Sequence, residues 1–596
     1  MRSLWAVRLE ILLIGASAFV AFLYLTTSKL LLVGLHQEVL RHGAVASEQK
    51  VCTQVGLDLL KAGGNAADAA VGMTFCVGVI GMYHSGIGGG GMALVRSSNG
   101  TYQAIDFRET APAAAHVDMF KHNVEASIHG GLASGVPGQL RGLEYIHSQY
   151  GALPWPDVLR PSIDIARNGF VVFEDLFRAM GVPATHDRRR APEGYLRDNR
   201  FLTEVPAWAL DFAPNGTRLG LGDVMKRKRY ADTLEDIAHT GAQSFYTGKL
   251  ASQMAKAVQK ADGIMTVADI ARYSLISRTP VEIDFHGHRV LACGEPASGA
   301  VVLSILKTIE GYENFMSPGH VNLSTHRLIE AMRFGYAERT SFGDPDFVED
   351  SGRRSKETEI LSAAYAAAIR SKILDDRTQN VSAYDPDGFE IQDAHGTSQI
   401  SAVDRSGLAI SLTTTVNLFF GSHVMVPESG IIMNNQMNDF SIPNSSNVFG
   451  YKPSPANYIR PHKRPLSSMS PLIAETLPPS HASSSPLNPD ILVLGAAGGS
   501  RIITAVVQTA LLTLLHNLTA YSAVAAARLH DQLVPNVVAF ERWYDNGTVA
   551  AMKDKGHDVT WVPPGFSSAS VVRWRRDGGF EAAAESRQAD SAGMVG

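Results

Sequence analysis

The sequence predicts a mixed α and β fold, with helices through its middle and strands returning after residue 396. Three observations carry this. Residues 396–422, GTSQISAVDRSGLAISLTTTVNLFFGS, hold two runs that alternate apolar and polar residues, 399–404 and 408–412, on either side of Arg405-Ser406-Gly407. Period-two alternation around a glycine-containing turn reads as a β-hairpin. Residues 491–494, 495–500 and 502–515 then give a short apolar strand, a glycine-bearing turn and a helix in that order. Backbone amides at such a helix start form an anion or oxyanion site. Between residues 151 and 371 the apolar spacing is helical, broken by Pro and Gly, with helices expected at 230–239, 249–260 and 324–340.

The remaining elements follow in chain order. Residues 11–28 are uncharged and mostly apolar, preceded by Arg2 and Arg8 and followed by Lys29. That length lies between a signal-peptide core and a membrane span. A signal anchor over residues 1–35, basic end inside, is favoured over a cleaved signal peptide because no small-residue cleavage site follows directly. Residues 51–60 read as a helix closed by Gly63-Gly64, and 66–80 as a second helix rich in small residues. The run Gly86-Ile87-Gly88-Gly89-Gly90-Gly91 precedes a strand at 92–96. A phosphate loop needs strand, glycines and helix in that order, so this run argues for close packing over nucleotide binding. Thr266 has the look of a helix start, and residues 281–291 read as a strand or hairpin. The polar stretch 372–396 reads as an exposed linker that runs straight up to Thr397, where a chain break is easily accommodated. Long loops rich in Pro and Ser span 441–465 and 478–489.

Composition excludes several classes. With 596 residues, 45% hydrophobic and 19% charged, the chain is globular and too long for one simple core. A net charge of −5 leaves no general footprint for nucleic acid. The basic runs 188–190 and 225–229 read as solvated faces. Of the three cysteines, Cys52 and Cys76 are able to pair in an oxidising compartment, leaving Cys293 as a buried thiol. No CxxC spacing points to zinc. Seven Asn-x-Ser/Thr sequons, at Asn99, Asn215, Asn322, Asn380, Asn444, Asn517 and Asn546, point to a glycosylated lumenal protein.

A Thr opening a core strand has a specific chemical use. If the chain is cut before Thr397, its new α-amine serves as base for its own hydroxyl. The rest of the chain supports that use. GGNAADAA (63–70), SGIGGGG (85–91), DFRETAP (106–112), GTSQISAVD (396–404), TTTVNLFFGS (413–422), ESGIIMNNQMNDF (428–440), PLSSMSP (465–471) and GAAGGSRI (495–502) occur in one order over most of the chain. Together they resemble the gamma-glutamyltransferase family of N-terminal-nucleophile hydrolases.

The resemblance implies the four-layer αββα sandwich of that hydrolase class, with a helical region in the large subunit. It implies a precursor that cuts itself into a large subunit, 36–396, and a small subunit, 397–596. Thr397 matches the nucleophile, Thr415 the second Thr that assists it, and Gly498 and Gly499 the oxyanion-hole glycines. Arg108, Ser467 and Ser468 match the binders of the substrate α-carboxylate; Asn417, Gln436 and Asp439 match those of its α-amino group. The implied partners are glutathione and other gamma-glutamyl compounds as donors, with water, amino acids or dipeptides as acceptors. No metal or organic cofactor is implied. Asn438 stands where family members often carry Asp, and Gln436 where some animal members carry Glu. The residue types fit the chemistry, since an Arg with two hydroxyls suits a carboxylate and an Asp with amide oxygens suits an ammonium. Two other readings stay open: an acylase with altered donor specificity on the same scaffold, and an unprocessed, inactive surface glycoprotein.

Overall fold

Two antiparallel sheets pack face to face, and helices cover the outer side of each. In the computed structural model the described residues are 42–181, 199–347, 353–385, 387–389, 396–443, 452–477 and 489–596. Residues 43–595 form one compact unit. The N-terminal apolar segment, the 188–190 basic run and Asn444 lie outside the described residues.

The first sheet has seven strands in the order Ala592–Val595, Gly43–Ser47, Ser398–Asp404, Ala409–Thr415, Gly90–Arg96, Tyr102–Phe107 and Ile276–Arg278. The second has six, in the order Phe580–Ala584, Ser568–Trp574, Ile491–Ala497, Leu472–Thr476, His288–Ala292 and Val281–Phe285. Helices Lys50–Lys61 and Ala66–Ile80 cover the first sheet, and helices Gly299–Glu310 and Arg501–Leu514 cover the second. Apolar side chains fill all three interlayer spaces. This is the four-layer αββα arrangement, and a helical block between residues 139 and 272 extends it.

The Ser398–Asp404 and Ala409–Thr415 strands form the expected hairpin, but every residue in both is buried. Their alternation therefore separates two interiors, with no water-facing side. Ile400, Ala402, Ile410 and Leu412 face the helices. Gln399, Ser401, Ser411 and Thr413 face the second sheet and satisfy one another there. Thr413 Oγ1 donates to Gln399 Oε1 (2.7 Å), Gln399 Nε2 to Ser411 Oγ (3.0 Å), and Ser411 Oγ to the Leu494 carbonyl (2.8 Å). Gly495 lies inside the Ile491–Ala497 strand, where a turn was expected. A Cβ there would meet the Gln399 amide at 2.2–2.3 Å, so the glycine makes room for that buried side chain.

Two family motifs resolve into structural devices. In GGNAADAA, the Asn65 side chain accepts from the amides of Ala67 and Asp68 while Asp68 accepts from Asn65 N, a capping box that starts the Ala66–Ile80 helix. Asp68 also accepts from Ala152 N (2.9 Å), and Asp404 from Ala66 N (2.8 Å), which ties the helix start to the hairpin. In SGIGGGG, a Cβ on Gly88 would lie 2.0 Å from the Ile432 carbonyl, and one on Gly89 would lie 2.0 Å from the Thr415 carbonyl. The run lets backbone pass directly behind the end of the Ala409–Thr415 strand. Cys52 and Cys76 form a disulfide that joins the two covering helices, and Cys293 is a buried free thiol.

Two surface expectations are corrected. Within the 225–229 basic run Arg227 is buried, donating to the carbonyls of Gly78 (2.8 Å), Val79 (3.3 Å) and Gly430 (2.9 Å). Two of those carbonyls close the C-terminal end of the Ala66–Ile80 helix, where a cation is favoured. The 372–396 stretch is also anchored at several points. Tyr384 is buried and donates to Glu330 (2.6 Å), which also accepts from Thr378 (2.8 Å). His326 bridges the Leu374 carbonyl (2.7 Å) and the His557 ring (2.8 Å). Residues 390–395 lie outside the described residues.

The start of the Ser398–Asp404 strand is clamped from behind. Ser398 Oγ lies 2.5 Å from Glu48 Oε1 and 2.7 Å from His84 Nδ1, and His84 Nε2 lies 3.4 Å from the same Glu48 oxygen. All three are buried. Burial, with the Asp175 carboxylate adding to it, pushes Glu48 up to about 8, and burial pushes His84 down to about 3. Both are therefore neutral near pH 7.

Two outcomes follow from this packing. Gly89→Ala forces backbone against backbone behind Thr415. It is expected to cost about 3 kcal/mol, the upper range for overpacking, read as a lower urea midpoint. The fold raises the Glu48 pKa, so its stabilising contribution is complete below about 4.5 and is lost as pH rises toward about 8. Between pH 5 and pH 8, wild type is expected to lose about 3 kcal/mol more than Glu48→Gln. Equal losses in the two proteins would show that Glu48 is already ionised.

Candidate active site

Thr397 immediately precedes its strand, half-buried, in the wall of a cleft with about 390 Å³ of empty space. The peptide bond before it is held by two groups. Thr415 Oγ1 donates to the Gly396 carbonyl (2.5 Å) and accepts from Asn417 N (2.8 Å). Gly396 has φ +124°, and a Cβ there would lie 2.3 Å from the Asn417 carbonyl. Only glycine fits that position. Asn417 takes a left-handed conformation, φ 75°, which turns the chain so that its amide reaches back to Thr415.

The same cleft is lined by Arg108, Asn417, Gln436, Asp439, Ser467, Ser468 and Gly499. Gly498 adjoins Gly499 in the turn before the Arg501–Leu514 helix. Both glycines have positive φ, and a Cβ on Gly498 would meet the Phe566 carbonyl at 2.8 Å. Neither amide is used in a turn, loop or cap hydrogen bond among the described residues. The ten residues expected from the sequence thus fall around one cleft.

Arg108 directly follows the Tyr102–Phe107 strand and is buried. Its guanidinium hydrogen-bonds neither Asp106, which accepts from Arg108 N (3.0 Å), nor Glu109. Arg108 Nη2 donates to Asp439 (2.5 Å) and to the Leu466 carbonyl (3.2 Å). The Asp106 side chain instead pairs with Arg278 (2.8 Å) and Arg464 (3.4 Å). Glu109 lies 4.0 Å from Arg108, and neither of its oxygens has a hydrogen-bond partner among the described residues. Burial pushes its carboxyl up to about 8, so it is neutral near pH 7 and leaves Arg108 to Asp439.

Gln436 and Asp439 bound a short 3-10 turn, Gln436–Asp439. Gln436 Nε2 donates to Asp439 (2.6 Å), and its Oε1 is buried without a partner among the described residues. Burial raises the Asp439 carboxyl even with Arg108 beside it. Asn438 turns away from the cleft, donating to Ser127 (2.7 Å). Asn434 fixes the approach to this turn, bonding Gly88 and Gly135 carbonyls at 2.8 Å each.

Ser467 and Ser468 precede the Leu472–Thr476 strand, and no helix follows for them to cap. Ser467 N donates to the Pro296 carbonyl (2.8 Å), and Ser298 Oγ donates to the Ser467 carbonyl (2.6 Å). One charged lining residue was not found from sequence. Arg339, last in the Val321–Arg339 helix, donates to Ser468 Oγ (3.1 Å). A basic residue in a last helical turn is ordinary, so local sequence gave no signal for it.

Comparison with known proteins shows the family. The family model described as gamma-glutamyltranspeptidase matches residues 52–595. A glutathione hydrolase proenzyme of Arthroderma benhamiae is 49% identical over 576 residues, covering 93% of each chain. A glutathione hydrolase of Aspergillus flavus is 46% identical over 559 residues, covering 93% of this chain and 89% of its own. Among solved structures, cephalosporin acylase from Bacillus halodurans superposes with a TM-score of 0.76 at 25% identity, over 93% of this chain and 96% of its own. With the family match running over nearly all of its described length, the chain belongs to the gamma-glutamyltranspeptidase family.

Proposed function

We propose that this chain is a self-processing gamma-glutamyl hydrolase and transferase acting on glutathione and its conjugates. One observation carries the reading: Thr397, with the Gly396 carbonyl before it held by Thr415, lines the cleft that also holds Arg108 and Asp439. In the first step Thr397 Oγ1 attacks the Gly396 carbonyl carbon, and Thr415 Oγ1 donates to the oxygen as charge develops. The C–N bond breaks, nitrogen takes up a proton, and water hydrolyses the resulting ester. Thr397 is left with a free α-amine.

In turnover, Thr397 Oγ1 attacks the gamma carbonyl and its own amine takes the hydroxyl proton. The Gly498 and Gly499 amides receive the oxyanion. The proton passes to the leaving amine, and the acyl-enzyme is resolved by water or by an amino acid or dipeptide amine. Arg108, Ser467 and Ser468 bind the donor α-carboxylate. Asp439, Asn417 and the unpartnered Gln436 Oε1 bind its α-ammonium. A donor read at both ends as a zwitterion disfavours the acylase alternative.

We further propose that the protein works on the far side of a membrane, with residues 1–35 as signal anchor or signal peptide. The Cys52–Cys76 bridge supports this, as does the exposure of the six sequon asparagines among the described residues. No helix among the described residues is long and apolar enough to cross a membrane.

N-terminal sequencing of the smaller band on a denaturing gel is expected to begin at Thr397. Thr397→Ala is expected to stay intact and inert toward gamma-glutamyl anilide. Thr415→Ala is expected to process about a hundredfold more slowly, the usual effect of losing one oxyanion donor. Glutathione is expected to compete with the anilide. Turnover without such competition would favour the acylase, and an intact, inert chain from the native host would favour the surface glycoprotein.

A further inference from the structure

The donor site holds a second guanidinium that the zwitterion reading does not use. Arg339 is 7% exposed and lines the cleft beside Ser467 and Ser468. Its two side-chain hydrogen bonds among the described residues go to neutral hydroxyls. Nε donates to Ser298 Oγ (3.0 Å) and Nη2 to Ser468 Oγ (3.1 Å). Arg108 differs, because Asp439 already neutralises it. A buried cation without a carboxylate at hydrogen-bond distance is held at a free-energy cost that an arriving anion relieves.

The bonds around the serines assign a direction to each hydroxyl. Ser468 Oγ accepts from Arg339, and Ser467 Oγ accepts from Met469 N (3.1 Å). A hydroxyl has one proton to give. With the accepting role filled by protein in both cases, both protons are free to point into the cleft. Two O–H donors and an uncompensated positive charge then face the same place.

We infer that Arg339 is a positioning residue for the substrate α-carboxylate: it fixes the Ser468 hydroxyl as a donor and supplies the net positive charge that the Arg108–Asp439 pair does not. The inference rests on the donor assignment proposed above. With a zwitterionic donor bound, the four charges of Arg108, Asp439 and the ligand cancel, and Arg339 leaves the site at +1. A donor amidated at its α-carboxyl leaves it at +2. Arg339 therefore belongs to the discrimination between those two donors.

The test compares gamma-glutamyl anilide with its α-carboxamide analogue on wild type, Arg339→Gln and Arg339→Lys, each checked for a small chain beginning at Thr397. Losing a hydrogen bond from a charged group corresponds to about a tenfold to hundredfold loss. In Arg339→Gln, kcat/KM for the carboxylate donor is expected to fall by that factor, mainly through KM. The carboxamide donor is expected to change little, so the preference shrinks. Arg339→Lys keeps the charge and is expected to recover part of the preference. An equal loss for both donors, an unchanged preference, or failure of both variants to process would mark Arg339 as structural and overturn the inference. If Arg339→Gln alone fails to process, the preference of Arg339→Lys decides in the same way. A wild-type enzyme that cleaves both donors equally would instead remove the donor assignment itself.

Discussion

The hydrogen bond from Thr415 Oγ1 to the Gly396 carbonyl is the contact on which the rest of the site depends. It aims a proton donor at the carbonyl of the one bond whose cleavage, proposed above, would expose Thr397. The contact is possible because Thr397 and Thr415 sit at the same end of neighbouring strands, Ser398–Asp404 and Ala409–Thr415, and on the face turned to the second sheet. Each strand end is supported from behind. The Ser398–His84–Glu48 cluster grips one, and the Gly89 backbone packs against the other. Gly89 and Gly396 meet one requirement, which is close approach of backbone to backbone around the Thr415 end of the hairpin.

Electrostatics give the cleft its second property. Arg108 and Asp439 pair with each other, and each has the sign opposite to one end of an amino-acid zwitterion. Binding of the donor proposed above would exchange one ion pair for two, so neither charge would be left uncompensated in a buried site. Glu109 matters by being neutral. Ionised at 4.0 Å from Arg108, it would compete with a substrate carboxylate for the same guanidinium. Its buried, unpartnered oxygens explain why the charged form is disfavoured.

The parts of this arrangement legible in the sequence were local ones. Helix limits at 66–80 and 249–260 match the structure because caps and apolar spacing are local. The wrong order around the glycine run argued against a phosphate loop, and close packing is what the structure has. The failures share a physical cause, since each needed knowledge of a distant partner. Alternation at 399–404 does not say whether the polar face meets water or a second sheet. Gly495 looks like a turn residue until Gln399 is seen filling its missing side chain. Arg227 reads as solvated unless the carbonyls of Gly78, Val79 and Gly430 are known to surround it. The site residues themselves were reached through motifs held in common with a family. No periodicity would have joined Arg108 to Asp439 across 331 positions.

The strand order also explains how a cut before Thr397 would leave the fold standing. The first sheet takes four strands from before residue 397 and three from after it, interleaved so that Ser398–Asp404 pairs with Gly43–Ser47 and Ala409–Thr415 with Gly90–Arg96. The second takes its last two strands, His288–Ala292 and Val281–Phe285, from before the cut and the other four from after it. Neither piece can leave without opening a ladder in both sheets. The loss of one covalent bond is therefore set against four shared ladders, three in the first sheet and one in the second, and the buried faces between them. The new α-amine would stay at the strand end, beside the Thr415 hydroxyl and the two glycine amides, where the broken bond had held it.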